Sequence, residues 1–381
     1  MTFRYDGADH RQRTTKLTFS GPPSRHQAGG SSFRVDLQPT AKTTIEIVIE
    51  LEDRGSGVLE IQPTGKLSQS LLQDVRVETD NPLFDRILSR SFDDLRMLLM
   101  REREETFFAA GVPWYVALFG RDSIITALET LLYDPSIAAN TLILLANYQG
   151  QHNHGWRDEE PGKILHELRV GEMANLQEVP QTPYYGTVDA TPLFIVLLAE
   201  YVRWTGDLDI WQRLHGNVDA ALGWIDRDAN HDGDGFTDYQ SKSDKGMANH
   251  GWKDSGNSIR NRDGSLAVPP IALVEVQGYV YRAKLDAAWL FRQDGDEERA
   301  HRLEIDANNL RRRFKRAYWM PRERYLAVAL QRNGRQAQSI TSNPGQALWS
   351  GIVDLDYAAA VARRLLDKAL FNGWGIRTLA A

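Results

Sequence analysis

Residues 81–100 read NPLFDRILSRSFDDLRMLLM. Leu83, Phe84, Ile87, Leu88, Phe92, Leu95 and Leu98 recur there at three- and four-residue intervals, which places them on one face of an α-helix. Upstream the period is different. Arg13–Ser20 (RTTKLTFS), Ser31–Pro39 (SSFRVDLQP) and Lys42–Glu52 (KTTIEIVIELE) are β-branched and partly alternating, and polar stretches such as GPPSRHQAGG separate them. The change of period near residue 80 divides the chain. Residues 1–78 are expected to form part of an antiparallel β-sandwich, and residues 79–381 a mainly α domain.

Downstream, helical patterns cover Asp122–Leu132, Ser136–Gly150, Asp189–Gly206, Leu208–Asp226, Leu273–Gln293, Gly295–Trp319 and Leu355–Asp367. Short turns such as TGDLD and DGDEE join some of them in pairs, and longer loops rich in Gly, Asp and Trp follow the pairs. Helical hairpins with their long loops gathered on one side predict a helical barrel or toroid with a site on that side.

Composition limits the function classes. The chain has 381 residues, no Cys and a formal net charge of −6. Thiol chemistry, disulfides and Cys-held metals are excluded. The negative charge argues against general binding to nucleic acid or anionic membrane. No apolar run is long enough to span a bilayer, and the first residues, MTFRYDGADHRQRTT, lack the apolar core of a secretory signal, so a cytoplasmic protein is expected. The 10 Trp and 13 Tyr suit the flat stacking faces of a sugar cleft, although rings of this kind more often fill cores.

The loops carry the acids. GVPWYVALFGRDS supplies Trp114, Arg121 and Asp122. KILHELRVGEMANLQ supplies Glu167, Arg169 and Glu172. TPYYGTVDATPLF supplies Asp189, GWKDSGNS supplies Trp252, Lys253 and Asp254, and VEVQGYVY supplies Glu275 and Gln277. From spacing alone, Asp122 fits a charge at a helix start and Asp254 a turn cap as well as they fit a cleft. DANHDGDGFTDY (Asp228–Tyr239) imitates a calcium loop, with Gly233 at its sixth position. Tyr239 stands where a bidentate Glu is needed, so a turn is expected and no metal.

Six motifs occur in order: PWYVALFGRDSIIT, HELRVGEMA, YYGTVDATPLF, HGWKDSGNS, SNPGQALWSGI and GWGIRTLA. Together they resemble the amylo-α-1,6-glucosidase part of glycogen-debranching-enzyme-like proteins, within the inverting glycosidases built on an (α/α)6 barrel. The resemblance runs from about Asn81 to Ala381, and the N-terminal strands resemble the end of the sandwich that precedes this barrel. It implies an oligosaccharide or small glycoside substrate and no cofactor. It implies Asp254 as general acid, and Asp122 and Asp189 on substrate hydroxyls. Arg121, Trp252, Glu275 and Gln277 would line the same pocket, and Trp114 and Lys253 are grouped with them as substrate-binding. In the family the base, a Glu, comes from a region after GWGIRTL, so the barrel is expected to be incomplete here. If a base lies within this chain, Glu172 and Glu275 are the candidates. A glycan-binding protein without catalysis, and a phosphorylase using Lys253 and Arg121 as an anion pocket, are the competing readings.

The chemistry explains the residue types. Cleavage of a glycosidic bond needs a proton on the leaving oxygen. Inversion needs a second carboxylate about 6.5–9.5 Å away to activate water. The acid must hold its proton near neutral pH, and a neighbouring Trp and other carboxylates raise its pKa.

Overall fold

The computed structural model describes residues 1–27, 29–54, 61–63 and 77–380, the strand Ile61–Pro63 by its backbone alone. The chain forms two compact units: residues 1–59 with 171–178, and residues 60–170 with 179–381.

The first unit is built on an antiparallel sheet with Gln12–Phe19 between Thr2–Asp6 and Ile47–Arg54. Two of the expected strands are therefore present. The third is not: Gly30–Ser32 pairs with Arg25–Gln27, but residues 33–39 are not in a strand. Val35 and Leu37 alternate as a strand would, yet no segment among the described residues pairs with residues 33–39. Parts of the expected sandwich, residues 55–60 and 64–76, lie outside the described residues. Residues 171–178 join this unit through side chains. Tyr5 Oη donates to Glu172 Oε2 (2.7 Å), the Ala8 amide donates to Glu172 Oε1 (2.6 Å), and Asn175 Nδ2 donates to Asp9 (2.8 Å).

The second unit is rich in helix. Its first helix, α1 (Pro82–Leu98), starts on Asn81, whose side chain accepts from the Leu83 and Phe84 amides, with Pro82 in the first turn. Only half of its apolar stripe meets a core. Phe92 is buried with Leu99, Phe108 and Ile137, and Leu95 and Leu98 pack on them, whereas Leu83, Phe84 and Ile87 are exposed. The expected helix does not continue through Met100. Leu99–Glu102 turns at Arg103 and pairs with Glu105–Phe108.

The later helices are α2 (Gly120–Thr130), α3 (Pro135–Asn147), the short α4 (Glu172–Asn175) of the first unit, α5 (Ala190–Thr205), α6 (Leu208–Arg227), α7 (Val274–Gln293), α8 (Glu297–Tyr318), α9 (Pro344–Ser350) and α10 (Leu355–Leu365). Neighbours in sequence pack as the pairs α2–α3, α5–α6, α7–α8 and α9–α10. A second series of contacts skips between pairs: α2 on α5, α5 on α7, and α7 on α9. Burial separates two layers. Twelve of the 16 residues of α5 and 15 of the 20 of α7 are buried, so these helices are covered on nearly every side. Eight of 20 in α6 and six of 22 in α8 are buried, each along one stripe, as for outer helices. Small antiparallel pairs sit in the connections, among them Leu118–Phe119 with Glu167–Leu168, and Ala272–Leu273 with Ala329–Gln331 and Arg335–Ala337.

Candidate active site

The inner helices α2, α5, α7 and α9 begin beside one another, and polar side chains collect at those starts. Gly120 is required there: a Cβ on it would lie 2.2 Å from the Leu165 carbonyl oxygen. This close approach lets Leu118–Phe119 pair with Glu167–Leu168, which sets Glu167 opposite Phe119, two residues before Arg121.

Asp189 occupies the residue before α5, a position where Asp normally accepts from helix amides. It makes no such bond. Its Oδ2 instead accepts from Arg121 Nη1 (2.8 Å) and its Oδ1 from the Thr187 hydroxyl (2.6 Å), and the carboxylate is fully buried. The same guanidinium reaches Asp254 Oδ2 at 3.9 Å. Asp254 differs in access: its side chain is 36% exposed, so a ligand can touch it. Burial raises its pKa, Arg121 opposes the rise, and the charges of Asp122 and Asp189 add to it. Asp122, in the first turn of α2, is likewise raised, by burial first and then by repulsion from Asp189, against Arg121.

Glu275, in the first turn of α7, is fully buried. Its Oε1 accepts from Asn343 Nδ2 (2.8 Å), at the start of α9, and its Oε2 has no partner. Burial pushes its pKa up to about 7, although Asn343 and the charge of Lys253 pull the other way. Lys253 is held down to about 8 by burial, opposed by Glu275. Its ammonium lies 5.0 Å from the centre of the Trp252 ring and donates to the Thr378 carbonyl. Gly251 lets this segment pass close to Glu275, since a Cβ there would meet Leu273 Cδ1 at 2.3 Å. The Trp252 indole nitrogen is buried without a partner.

Arg121, Asp122, Asp189, Trp252, Lys253, Asp254 and Glu275 are thus linked by bonds or by mutual electrostatic effect. Two other expected residues are placed differently. Trp114 is 82% exposed, and no ring contact or hydrogen bond ties it to this cluster. Gln277 gives both amide hydrogens to the carbonyls of Thr237 (2.7 Å) and Leu273 (3.1 Å), and its Oε1 accepts from the Thr237 amide (3.0 Å). It pins a loop to α7. Glu172, one candidate base, is held by Tyr5 and Ala8 in the first unit.

Three residues enter the cluster that are given no role in it by the sequence reading. Glu167 is buried, carries a raised pKa from burial, and repels both Asp254 and Asp122. Tyr279, one turn into α7, feels Glu275, Asp189 and Arg121, and burial holds its hydroxyl protonated. Asn343 bonds Glu275, and its own Oδ1 is buried without a partner. The signal available for Asn343 was its place before a helix within SNPGQALWSGI, the same kind of place that Asp189 holds before α5.

The Asp228–Tyr239 loop uses its side chains on its own backbone. Asp234 accepts from the Phe236 amide, Asp232 from Asp234, Asn230 from Gly235 and Asp238 from His231. Gly233 and Gly235 take positive φ, as the turns require. Among the described residues no group of three or more His, Asp or Glu side chains is disposed to hold a metal.

A group of carboxylates, one of them open, around an arginine and beside a tryptophan has the composition of a site for a glycosidic bond. Comparison with known proteins places the chain in that class. Residues 162–381 match the family model described as amylo-alpha-1,6-glucosidase, and residues 1–48 match the N-terminal domain of some glycogen debranching enzymes. The first match spans more than half of the chain. The chain belongs to the amylo-alpha-1,6-glucosidase family, a family of glycoside hydrolases. No curated protein matches it. Among solved structures it resembles a GH78 family rhamnosidase of Bacillus sp. GL1, at 12% identity and a TM-score of 0.55, over 94% of this chain and 37% of that one. It also resembles a rhamnosidase from Klebsiella oxytoca with rhamnose bound, at 12% identity and a TM-score of 0.50, over 84% of this chain and 52% of that one. At such identity the likeness is one of fold. The chain spans well under two thirds of the length of either rhamnosidase.

Proposed function

We propose that this protein acts on an α-glucosidic bond, the α-1,6 branch bond being the first candidate, by an inverting acid/base mechanism with Asp254 as general acid. The observation that carries this reading is the contrast within one cluster. Asp254 is reachable by a ligand and burial raises its pKa, while Asp189 on the same arginine is closed to solvent. A carboxyl that keeps its proton and touches the cleft can protonate a leaving oxygen.

In this reading a glucosyl ring lies against Trp252, and Asp122 takes its hydroxyls. Asp189, with both oxygens occupied inside the protein, acts through Arg121 rather than on the sugar. Arg121 lies close enough to Asp254 to hold the conjugate base once the proton has left. Lys253 is engaged with Thr378 and Trp252, and Arg121 with Asp189, which leaves no evident anion pocket for a phosphorolytic reaction. Within the chain, Glu275 is the candidate for the base. The inner series α2, α5, α7 and α9 and its outer partners are read as part of an (α/α)6 barrel. A division of the chain near residue 78 into sandwich and barrel domains belongs to the same proposal.

No helix among the described residues is long and apolar enough to cross a membrane. A cytoplasmic location belongs to the same proposal. The test is proton NMR of the anomeric region during hydrolysis of a singly branched α-1,6 glucosyl oligosaccharide. Release of β-glucose supports the proposal. Release of α-glucose first, or cleavage of α-1,4 bonds alone, contradicts it.

A further inference from the structure

A second cavity lies on the far side of α7 from the carboxylate cluster, between α6, α7, α8 and the loop that Gln277 pins. Its volume is about 210 Å³. It contains none of the residues discussed above as catalytic or substrate-binding. We propose that it binds one neutral polyhydroxylated ring, a single hexose unit.

The wall chemistry selects this class of ligand. Lys284, itself buried, crosses the cavity wall to Asp226 (Nζ to Oδ1, 2.6 Å), so its charge is already matched. Arg313 donates to the Gly235 carbonyl (3.0 Å) and lies over the Phe236 ring. Asp306 and Asn309 project from neighbouring turns of α8. The carbonyl of Asn309 accepts from Arg312, which leaves its two amide hydrogens, and the Asp306 carboxylate has no partner among the described residues. Two cations face two carboxylates, so the cavity offers no net charge to an anion or to a cation. What it offers is the Asp306 carboxylate as acceptor and the Asn309 amide hydrogens as donors beside a small space, with the buried Phe236 among the lining residues. Vicinal hydroxyls, each both donor and acceptor, complement that arrangement, and a small apolar ligand does not. Affinity for one ring is modest, with Kd on the order of 1 mM.

The proposal stands apart from the catalytic reading, because it concerns binding at a place where no reaction is expected. The experiment is hydrogen exchange followed by mass spectrometry on the full chain, with methyl α-glucoside as the probe. It is run on the natural protein and on the D306A/N309A double variant. Asp306 is exposed and Asn309 half-buried at the rim of the cavity, and far-ultraviolet circular dichroism and the melting temperature establish that the variant folds. The expected result is slowed exchange in peptides covering residues 229–237 and 303–313 of the natural protein, saturating with the probe. In the double variant that slowing is lost, while any protection near Asp254 persists. Absence of slowing in these peptides overturns the proposal, as does slowing that survives the double substitution. Hydrolysis assays do not enter either outcome.

Discussion

Polar residues at the helix starts serve different ends in the inner and outer layers. In the outer layer Asp134 before α3, Asp207 before α6 and Asp296 before α8 each turn a carboxylate onto a helix amide. In the inner layer the residues before α2, α5, α7 and α9 are Phe119, Asp189, Leu273 and Asn343, and none makes a side-chain cap. Asp189 and Asn343 are able to cap and instead reach sideways, to Arg121 and Glu275. Three of the four outer starts thus contribute stability to their own helix, while Asp354 before α10 makes no cap and pairs with Arg311 and Lys315 of α8. An inner start leaves amides without a side-chain cap beside the carboxylate cluster, where they favour negative charge, and Asp189 and Asn343 join one helix to the next.

Substitutions on the two layers should therefore differ in size and in kind. The largest expected effect is at the inner pair. R121M leaves the buried Asp189 carboxyl without its ion-pair partner, which costs about 3–5 kcal/mol in urea unfolding at neutral pH. A cost near that of a surface change would mean the pair does not bridge α2 and α5.

Glu275 supplies a pH signature. Its folded pKa of about 7 exceeds the ordinary 4.5, so the folded state binds the proton more tightly than the unfolded chain. The stabilisation is full below pH 4.5 and is lost as pH rises through 7. Its size is about 3 kcal/mol. In E275Q, urea unfolding between pH 4.5 and 8 should lose this slope, and an unchanged slope would remove Glu275 as its source.

The outer layer should respond least. D207A and D296A each remove a cap and should cost about 1 kcal/mol, with sugar binding and any hydrolysis unaltered. A change in turnover from either would break the distinction between layers.

Much of this arrangement was legible in the sequence because it rests on local patterns. The period change near residue 80, and the helices α5, α6, α7 and α8, follow from spacing alone. The motif segments quoted for the resemblance contain nearly every residue of the cluster. What could not be read was direction. Asp189 and Asp207 look alike before their helices, and only the packing of α2 on α5 decides which one caps. Gln277 follows Glu275 by two residues in a buried helix, so the two point to different sides, one into the cluster and one to Thr237. Asn343 was quoted in its motif but given no role, because its partner Glu275 is distant in sequence. Val35 and Leu37 failed in the opposite way, with a strand-like pattern and no sheet to receive it.

The central claim is that Asp254 gives the proton. Its test compares leaving groups in D254N, with azide added as external nucleophile so that attack does not depend on the base. For a glucoside with a poor, alkyl-type leaving group, the variant should lose about 10²–10⁴ in rate. For α-glucosyl fluoride, whose fluoride leaves with far less help from a proton donor, it should lose much less. Equal losses on both substrates, or no loss on the first, would contradict the assignment.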